Sequence, residues 1–266
     1  MTLSATAPVL VRLDRVTMHY GRGSTAIQAI DTVTLDIKKG EVIAVVGPSG
    51  CGKSSLMKLI SGLHPASSGS VLVEDKPVKG PLKSVGMAFQ ASNLLPWRSV
   101  TDNVLLPMEI VQPHRSLIRR QRSKYKANAE ALLAQVGLKG FTEKFPWQLS
   151  GGMQQRASIC RALVHEPDIL MLDEPFGALD AFTREELWCT LRDIQQARGV
   201  TVMLVTHDLR EAVFLADTVY VMSNRPGKIV KVQTVDLPRP RDIEVTYTQP
   251  FQDLVHELRR YIGGQH

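Results

Sequence analysis

Gly47-Pro48-Ser49-Gly50-Cys51-Gly52-Lys53-Ser54 sets three glycines, a lysine and a hydroxyl at the spacing of a phosphate-binding loop. Small residues let the backbone wrap an anion with successive N–H groups turned inward. A helix opening at Lys53 adds its own unpaired donors and the positive end of its dipole. In such a loop Lys53 is a point charge for the β- and γ-phosphates, and the Ser54 hydroxyl is a magnesium ligand. The thiol of Cys51 is given no chemistry. A second chemical pattern is Ile169 to Leu172, an apolar run that ends in Asp173 and Glu174. Burying two charges is expensive unless a cation or hydrogen bonds compensate. Beside a phosphate loop Asp173 can hold Mg²⁺, directly or through water, while Glu174 orients and deprotonates the attacking water. Taken alone, Asp-Glu-Pro also suits an ordinary solvated turn.

These residues need elements to deliver them. Val42–Val46 is a continuous β-branched run, so it reads as a strand covered on both faces. Val85–Phe89, Ile169–Leu172 and Val200–Thr206 read as further strands. Helical spacing follows the loop from Lys53 to Leu63 and recurs from Asp180 to Ala197. Strands alternating with helices imply a mostly parallel sheet. Ligands bind such sheets outside the carboxyl ends of the strands. Gln90 and His207 follow two of these strands, so they converge on the edge that holds the phosphate loop and Asp173/Glu174. Either residue alone is more often structural. Together the set supplies an anion cradle, a metal ligand, a base and a γ-phosphate contact.

Leu149-Ser150-Gly151-Gly152-Met153-Gln154 is the most specific segment. Ser150 is a good N-cap, the glycines leave backbone donors unobstructed, and a helix runs from there to about Val164. This is a second anion-binding helix start, and a plain capped helix would not need both glycines. The stretch from Ala91 to His165 reads as a mainly helical insertion: it holds Pro96, Pro107 and Pro113, then a long helical pattern through Gly137 that places Ala129, Leu132, Leu133 and Val136 on one side. The opening residues to about Ile37 read as strands laid against the core. An amphipathic helix from Phe251 to Ile262 closes the chain.

In order and spacing, the phosphate loop, Gln90, the Leu-Ser-Gly-Gly-Met-Gln segment, Asp173/Glu174, Ala178-Leu179-Asp180 and His207 resemble an ABC transporter ATPase. The resemblance implies an α/β P-loop NTPase fold with a mixed, mainly parallel sheet, an N-terminal antiparallel β subdomain and an inserted helical subdomain. It implies one ATPase domain over residues 1–240, with its core at 1–90 and 165–240, its helical subdomain at 91–164, and a short helical tail at 241–266. In that family two cassettes dimerise head to tail, with ATP between the phosphate loop of one and the Leu-Ser-Gly-Gly segment of the other. The family carries ATP and Mg²⁺ over onto particular residues. Gly47 to Ser55, with Ser55 included, bind ATP, and Tyr20 stacks on adenine. Ser54, Gln90 and Asp173 hold the metal; Glu174, His207, Gln90 and Lys53 are catalytic. Ser150, Gly151, Gly152 and Gln154 contact the ATP of the partner chain, and Asp180 lies at the dimer seam. The helical subdomain docks on transmembrane permease subunits, which an extracytoplasmic solute-binding protein supplies.

Asn93 to Arg98, Asp173 to Glu186 and Val213 to Gly227 resemble the importers of nitrate, sulfonates and taurine. The implied place of work is the cytoplasmic face of the cell membrane, with the chain bound peripherally.

Composition excludes other classes. The chain has 266 residues, 44% hydrophobic and 22% charged, close to the soluble globular average. No apolar run nears the ~18 residues of a membrane span, and the first residues do not read as a secretory signal. Its three cysteines have no metal or disulfide spacing, which fits reduced thiols. Arg115 to Lys126 holds six basic residues and no acidic one, and only Tyr125 interleaves, so a solvated helix face is expected there and no nucleic-acid partner. A soluble ABC ATPase acting on nucleic acid or another non-transport assembly is the alternative. The stretch between Gln90 and Leu149 leaves no room for the coiled coils, and the chain no second cassette, that such proteins carry. A non-hydrolysing scaffold fits poorly with Glu174 and His207 both present.

Overall fold

The structure, a computed structural model, describes residues 7–263 apart from Arg22 and Ala178. Along the chain run β1 (Val9–Tyr20), β2 (Ile27–Lys38), β3 (Val42–Val46), α1 (Lys53–Ile60), β4 (Ser68–Val73), β5 (Lys76–Pro77) and β6 (Val85–Ala88). Then come α2 (Val100–Leu105), α3 (His114–Leu117), α4 (Arg122–Gln135), α5 (Gly151–Leu163), β7 (Ile169–Asp173) and α6 (Ala181–Arg198). The chain ends with β8 (Thr201–Thr206), α7 (Leu209–Leu215), β9 (Thr218–Met222), β10 (Ile229–Thr234) and α8 (Gln249–Gly263). It divides into two units, Met1–Leu82 with Arg198–His266, and Lys83–Ala197.

In the first unit β3 lies between β8 and β9 and is parallel to both, with Val46 level with Thr206 on one side and Val221 on the other. Every residue of β3 and β8 is buried, as near-continuous apolar runs in a parallel sheet must be. β10 adds an antiparallel edge to β9. A separate antiparallel sheet has the order β2-β1-β4-β5. The fold is therefore α/β with a mixed sheet and an N-terminal antiparallel sheet.

α1 stops at Ile60, short of the predicted Leu63, because the chain turns at Gly62 with φ +73°. A Cβ at Gly62 would stand 2.0 Å from the carbonyl oxygen of Gly80, so no other residue fits. In α8, Phe251 and Leu258 lie two turns apart on the buried stripe. The end of α7 is held by two arginines. Arg241 donates to the carbonyls of Val213, Phe214 and Ala216, and to that of Val235. Arg239 takes the carbonyl of Leu215 and pairs with Asp217 at 2.7 Å. A helix leaves its last four carbonyls without intrahelical partners, and these guanidinium groups supply the missing donors. Burial, with Arg239 nearby, pushes the Arg241 guanidinium down to about 10.

In the second unit β6 and β7 pair in parallel, with Ala88 opposite Leu172. α5 presses on this pair at Gly86, where a Cβ would stand 2.0 Å from the carbonyl oxygen of Ala162. The long helical pattern expected after Pro113 and through Gly137 is two helices, the short α3 and then α4, which ends at Gln135. Pro107 and Pro113 fall between α2 and α4, and a proline has no N–H to continue a helix. α4 buries Tyr125, Ala129, Leu132 and Leu133. It closes at Gly137, φ +76°, with the N–H of Leu138 on the carbonyl of Leu133 at 2.8 Å. Sequence reading did not predict β4, β5, β9 or β10.

Candidate functional site

The functional residues fall into two clusters, one in each unit. In the first, the buried β3 fires directly into the glycine loop. Gly50 and Gly52 sit at φ +75° and +106°, which an L side chain adopts only at a cost. A Cβ on Gly52 would stand 2.8 Å from the carbonyl oxygen of Ala29, and one on Gly47 2.8 Å from that of Met222. Gly52 is also the N-cap of α1 and brings no side-chain acceptor, so the first N–H groups of that helix are left to face the loop. Lys53 is 5% exposed, and its Nζ donates to the carbonyls of Gly47 at 2.8 Å and Pro48 at 3.0 Å. The ammonium is thus held over the loop rather than extended into solvent. Ser49, Gly50 and Ser54 are exposed, and Pro48 is half-buried. Cys51 is buried, and that burial pushes its thiol pKa up, against the opposing charge of Lys53. A thiol so placed stays protonated and contributes backbone only.

Tyr20 ends β1. Its hydroxyl shares a 3.1 Å hydrogen bond with that of Ser55, so the hydroxyl of buried Ser55 is engaged by the tyrosine. His64 meets the Tyr20 ring edge-on at 5.2 Å, and Lys58 Nζ lies 5.6 Å from its centroid. His207 is exposed at the carboxyl end of β8. Beneath it the Thr206 hydroxyl donates to Glu211 at 2.9 Å and accepts the Asp208 N–H at 3.0 Å. Asp208 in turn caps α7 by accepting the N–H groups of Arg210 and Glu211. His207 therefore projects from a backbone fixed on both sides.

In the second unit β7 ends at half-buried Asp173, and Glu174 follows with φ +47°. A glutamate in the left-handed region costs of order 1–3 kcal/mol, a strain concentrated at functional positions. The turn closes with the Gly177 N–H on the carbonyl of Glu174 at 3.2 Å. A Cβ on Gly177 would lie 3.4 Å from Gln90 Nε2, so the glutamine amide and the Glu174 turn are neighbours. Ala178 lies outside the described residues. Asp180 accepts the Thr183 N–H at 3.1 Å at the start of α6, and Thr183 holds its carboxyl below the ordinary range.

Ser150 caps α5, its Oγ accepting the Met153 N–H at 3.3 Å. Ser150 and Gly151 are exposed. Nothing lies within 4 Å of a Cβ built on Gly151, whereas one on Gly152 would meet Thr183 Cγ2 at 2.6 Å. Gln154 turns inward: its amide donates to the carbonyls of Pro146 and Leu149, and its oxygen accepts from Ser92.

Three residues escaped the sequence reading. Gln155 donates to the carbonyl of Phe89 at 2.9 Å. Arg161 donates to those of Ser92 and Asn93. Asn103, fully buried, accepts the Leu95 N–H and donates to the carbonyls of Leu95, Arg98 and Ser99. Together they fix the chain on both sides of Gln90. Nothing in the spacing of Gln155 and Arg161 along α5 hints at this, because backbone carbonyls leave no trace in a sequence.

Comparison with known proteins gives these features a context. A family profile described as "ABC transporter" matches residues 30–177. The chain is 41% identical over 222 residues to the aliphatic sulfonates import ATP-binding protein SsuB of Bacillus licheniformis, covering 84% of this chain and 83% of that one. It is 42% identical over 239 residues to the nitrate import ATP-binding protein NrtC of Synechococcus elongatus, covering 89% of this chain and 36% of that protein. Among solved structures it is similar to the dimeric post-hydrolysis state of the ATP-binding cassette MJ0796 bound to ADP and Pi, with TM-score 0.71 and 30% identity, over 86% of this chain and all of that one.

Proposed function

The chain belongs to the ABC transporter family and is an ATPase; from that premise we propose that it powers uptake of a small anion such as nitrate, a sulfonate or taurine. In this reading two copies pair head to tail around ATP and Mg²⁺ and work on the cytoplasmic face of a membrane. They engage permease subunits through the helical subdomain, 91–164, and a solute-binding protein feeds the permease. The ATPase domain is 1–240, with a helical tail beyond it. The import proteins for sulfonates and nitrate among its relatives support the cargo class. Among the described residues no helix is long and apolar enough to cross a membrane, and in this reading the permease subunits carry the solute.

One observation carries the pairing. Gly151 needs no special backbone angle and has open space where a side chain would go. Its own fold does not ask for glycine there, yet glycine opens a helix whose first N–H groups have no intrahelical partner. An anion brought from outside the chain explains both facts.

In hydrolysis, N–H groups from Gly50 to Ser55 wrap the phosphates and Lys53 adds charge at the β- and γ-positions. Tyr20 offers a ring face to the base. Glu174 accepts the proton of the water that attacks the γ-phosphorus, and His207 contacts the γ-phosphate. Ser150, Gly151 and Gly152 of the partner copy meet the same phosphate, with Gln154 bracing their turn and Asp180 at the seam. The hydroxyl of Ser54, the amide oxygen of Gln90 and the carboxylate of Asp173 are hard oxygen donors of the kind that complete a Mg²⁺ shell begun by phosphate oxygens. When bound, the ion would neutralise phosphate charge.

The test uses Glu174→Gln with saturating ATP and Mg²⁺. Sedimentation should show twice the chain mass while hydrolysis falls by about a hundredfold or more. Single chains only, even beside the permease, would overturn the pairing, and near-normal hydrolysis would overturn the role of Glu174.

A further inference from the structure

β9 is parallel to β3 and next to it, so the turns that follow them leave the sheet at the same edge. The turn after β9, Ser223-Asn224-Arg225-Pro226-Gly227-Lys228, is drawn tight. The Ser223 N–H donates to the carbonyl of Lys228 at 2.9 Å, and the Ser223 hydroxyl accepts the Lys228 N–H at 3.0 Å. Its far end is stitched to β2: Gly227 donates to the carbonyl of Ala29 and accepts the N–H of Asp31, both at 3.0 Å. Lys228 pairs with Asp31 at 2.9 Å. The same stretch of β2 limits Gly52, whose Cβ would strike Ala29 and Ile30. The turn and the phosphate loop therefore share one support.

They also touch each other. A Cβ on Gly227 would stand 2.1 Å from the carbonyl oxygen of Cys51, so backbone lies on backbone there. At the exposed tip, Arg225 Nε donates to the carbonyl of Gly50 at 3.3 Å, and its Nη2 lies 3.7 Å from where a Gly50 Cβ would be. Gly50 is the tip residue with the left-handed backbone, and its peptide is the one most able to rotate. Fixing its carbonyl outward fixes the N–H of Cys51, on the same peptide plane, against the opposite side, where it closes the loop's turn on the carbonyl of Pro48 at 3.3 Å. A charged donor also polarises that peptide.

We propose that Arg225 is a positioning residue of the nucleotide site, and that the Ser223–Lys228 turn is the outer wall of the phosphate loop. The inference rests on reading that loop as the ATP site. Arg225 acts on the phosphates through the Gly50 peptide, so its loss weakens nucleotide binding more than turnover of bound nucleotide.

The experiment compares the full-length chain with Arg225→Ala, Arg225→Lys and Gly227→Ala, measuring ATP affinity, KM, kcat at saturation and the nucleotide-free melting temperature. Losing one charge-assisted hydrogen bond at the surface should raise Kd and KM in Arg225→Ala about three- to tenfold, with kcat within about twofold. The nucleotide-free melting temperature should stay unchanged, and Arg225→Lys should recover most of the affinity. Gly227→Ala, which must displace Cys51, should lose affinity as well. Wild-type KM in Arg225→Ala overturns the inference, as does an affinity loss matched by a lower nucleotide-free melting temperature or left unrepaired by lysine. A wild-type chain that binds no ATP overturns the ATP-site reading itself and this inference with it. ATP binding by the wild type, unaltered in Arg225→Ala, removes this inference alone.

Discussion

The chain opens a helix behind glycines twice, at Lys53 and at Gly151, and the two openings differ in what makes glycine necessary. At the phosphate loop the chain's own fold demands it: Gly50 and Gly52 are left-handed, and Gly47 and Gly52 abut carbonyls of β9 and β2. At the second opening Gly152 is pressed by Thr183, but Gly151 has no intrachain reason to lack a side chain. The first helix has no side-chain cap, whereas Ser150 caps the second. One opening is shaped from within to receive an anion, and the other is left bare for something the chain does not contain.

Substitutions can break this comparison. The largest effect is expected from Lys53→Ala, which removes the ammonium bridging Gly47 and Pro48. Hydrolysis should fall by about two to three powers of ten, a loss of the size seen when an electrostatic contact to a reacting group is removed. A filter assay for phosphate release together with equilibrium ATP binding checks it, and both should fail. Next comes the paired test of the glycines. Gly52→Ala should destabilise the chain by about 1–2 kcal/mol or more and abolish ATP binding, because a left-handed Cβ also meets Ala29. Gly151→Ala should leave urea stability unchanged or raise it by up to about 1 kcal/mol, since alanine is the better helix former. ATP binding by the single chain should persist in it while hydrolysis falls at least about tenfold. Equal damage from both substitutions would erase the distinction.

A smaller effect sharpens the account of the second unit. Asn103→Ala strips four hydrogen bonds from the loop at Leu95–Ser99 and leaves buried backbone groups unpaired. A cost of about 2–3 kcal/mol in urea unfolding is expected. The smallest concerns His165, buried in the same unit, where desolvation pushes the ring below its ordinary value and a backbone contact with Val85 opposes the shift. The unfolded chain then binds the proton more readily, so stability is full above about pH 6.5 and declines as pH falls towards the folded value. His165→Gln should flatten that decline between pH 7.5 and 5.5 in urea titrations.

The candidate site residues stood out in the sequence, because glycines, a lysine and paired carboxylates at that spacing suit phosphate chemistry. β3, β7 and β8 were legible for a related reason: an uninterrupted apolar run has to be covered on both faces. β10 was not, since its residues alternate between half-buried and exposed and, among the described residues, it pairs with β9 alone. The break between α3 and α4 was also hidden, since no proline or glycine stands between Leu117 and Arg122. Least visible were Gln155, Arg161 and Arg225, each of which answers a main-chain carbonyl far away in the chain, and Asn103, which answers the carbonyls of the loop just before it. A side chain's type says that it can donate, and only the folded path says to which carbonyl.

The arginine pair at the end of α7 bears on how this protein is handled. α7 has only two turns, with the His207 backbone at one end and guanidinium groups from residues 239 and 241 at the other. A truncation at the apparent end of the last strand would strip four carbonyls of their donors and loosen that short rod at its carboxyl end. Expression plasmids and fusion junctions should therefore be drawn beyond α8.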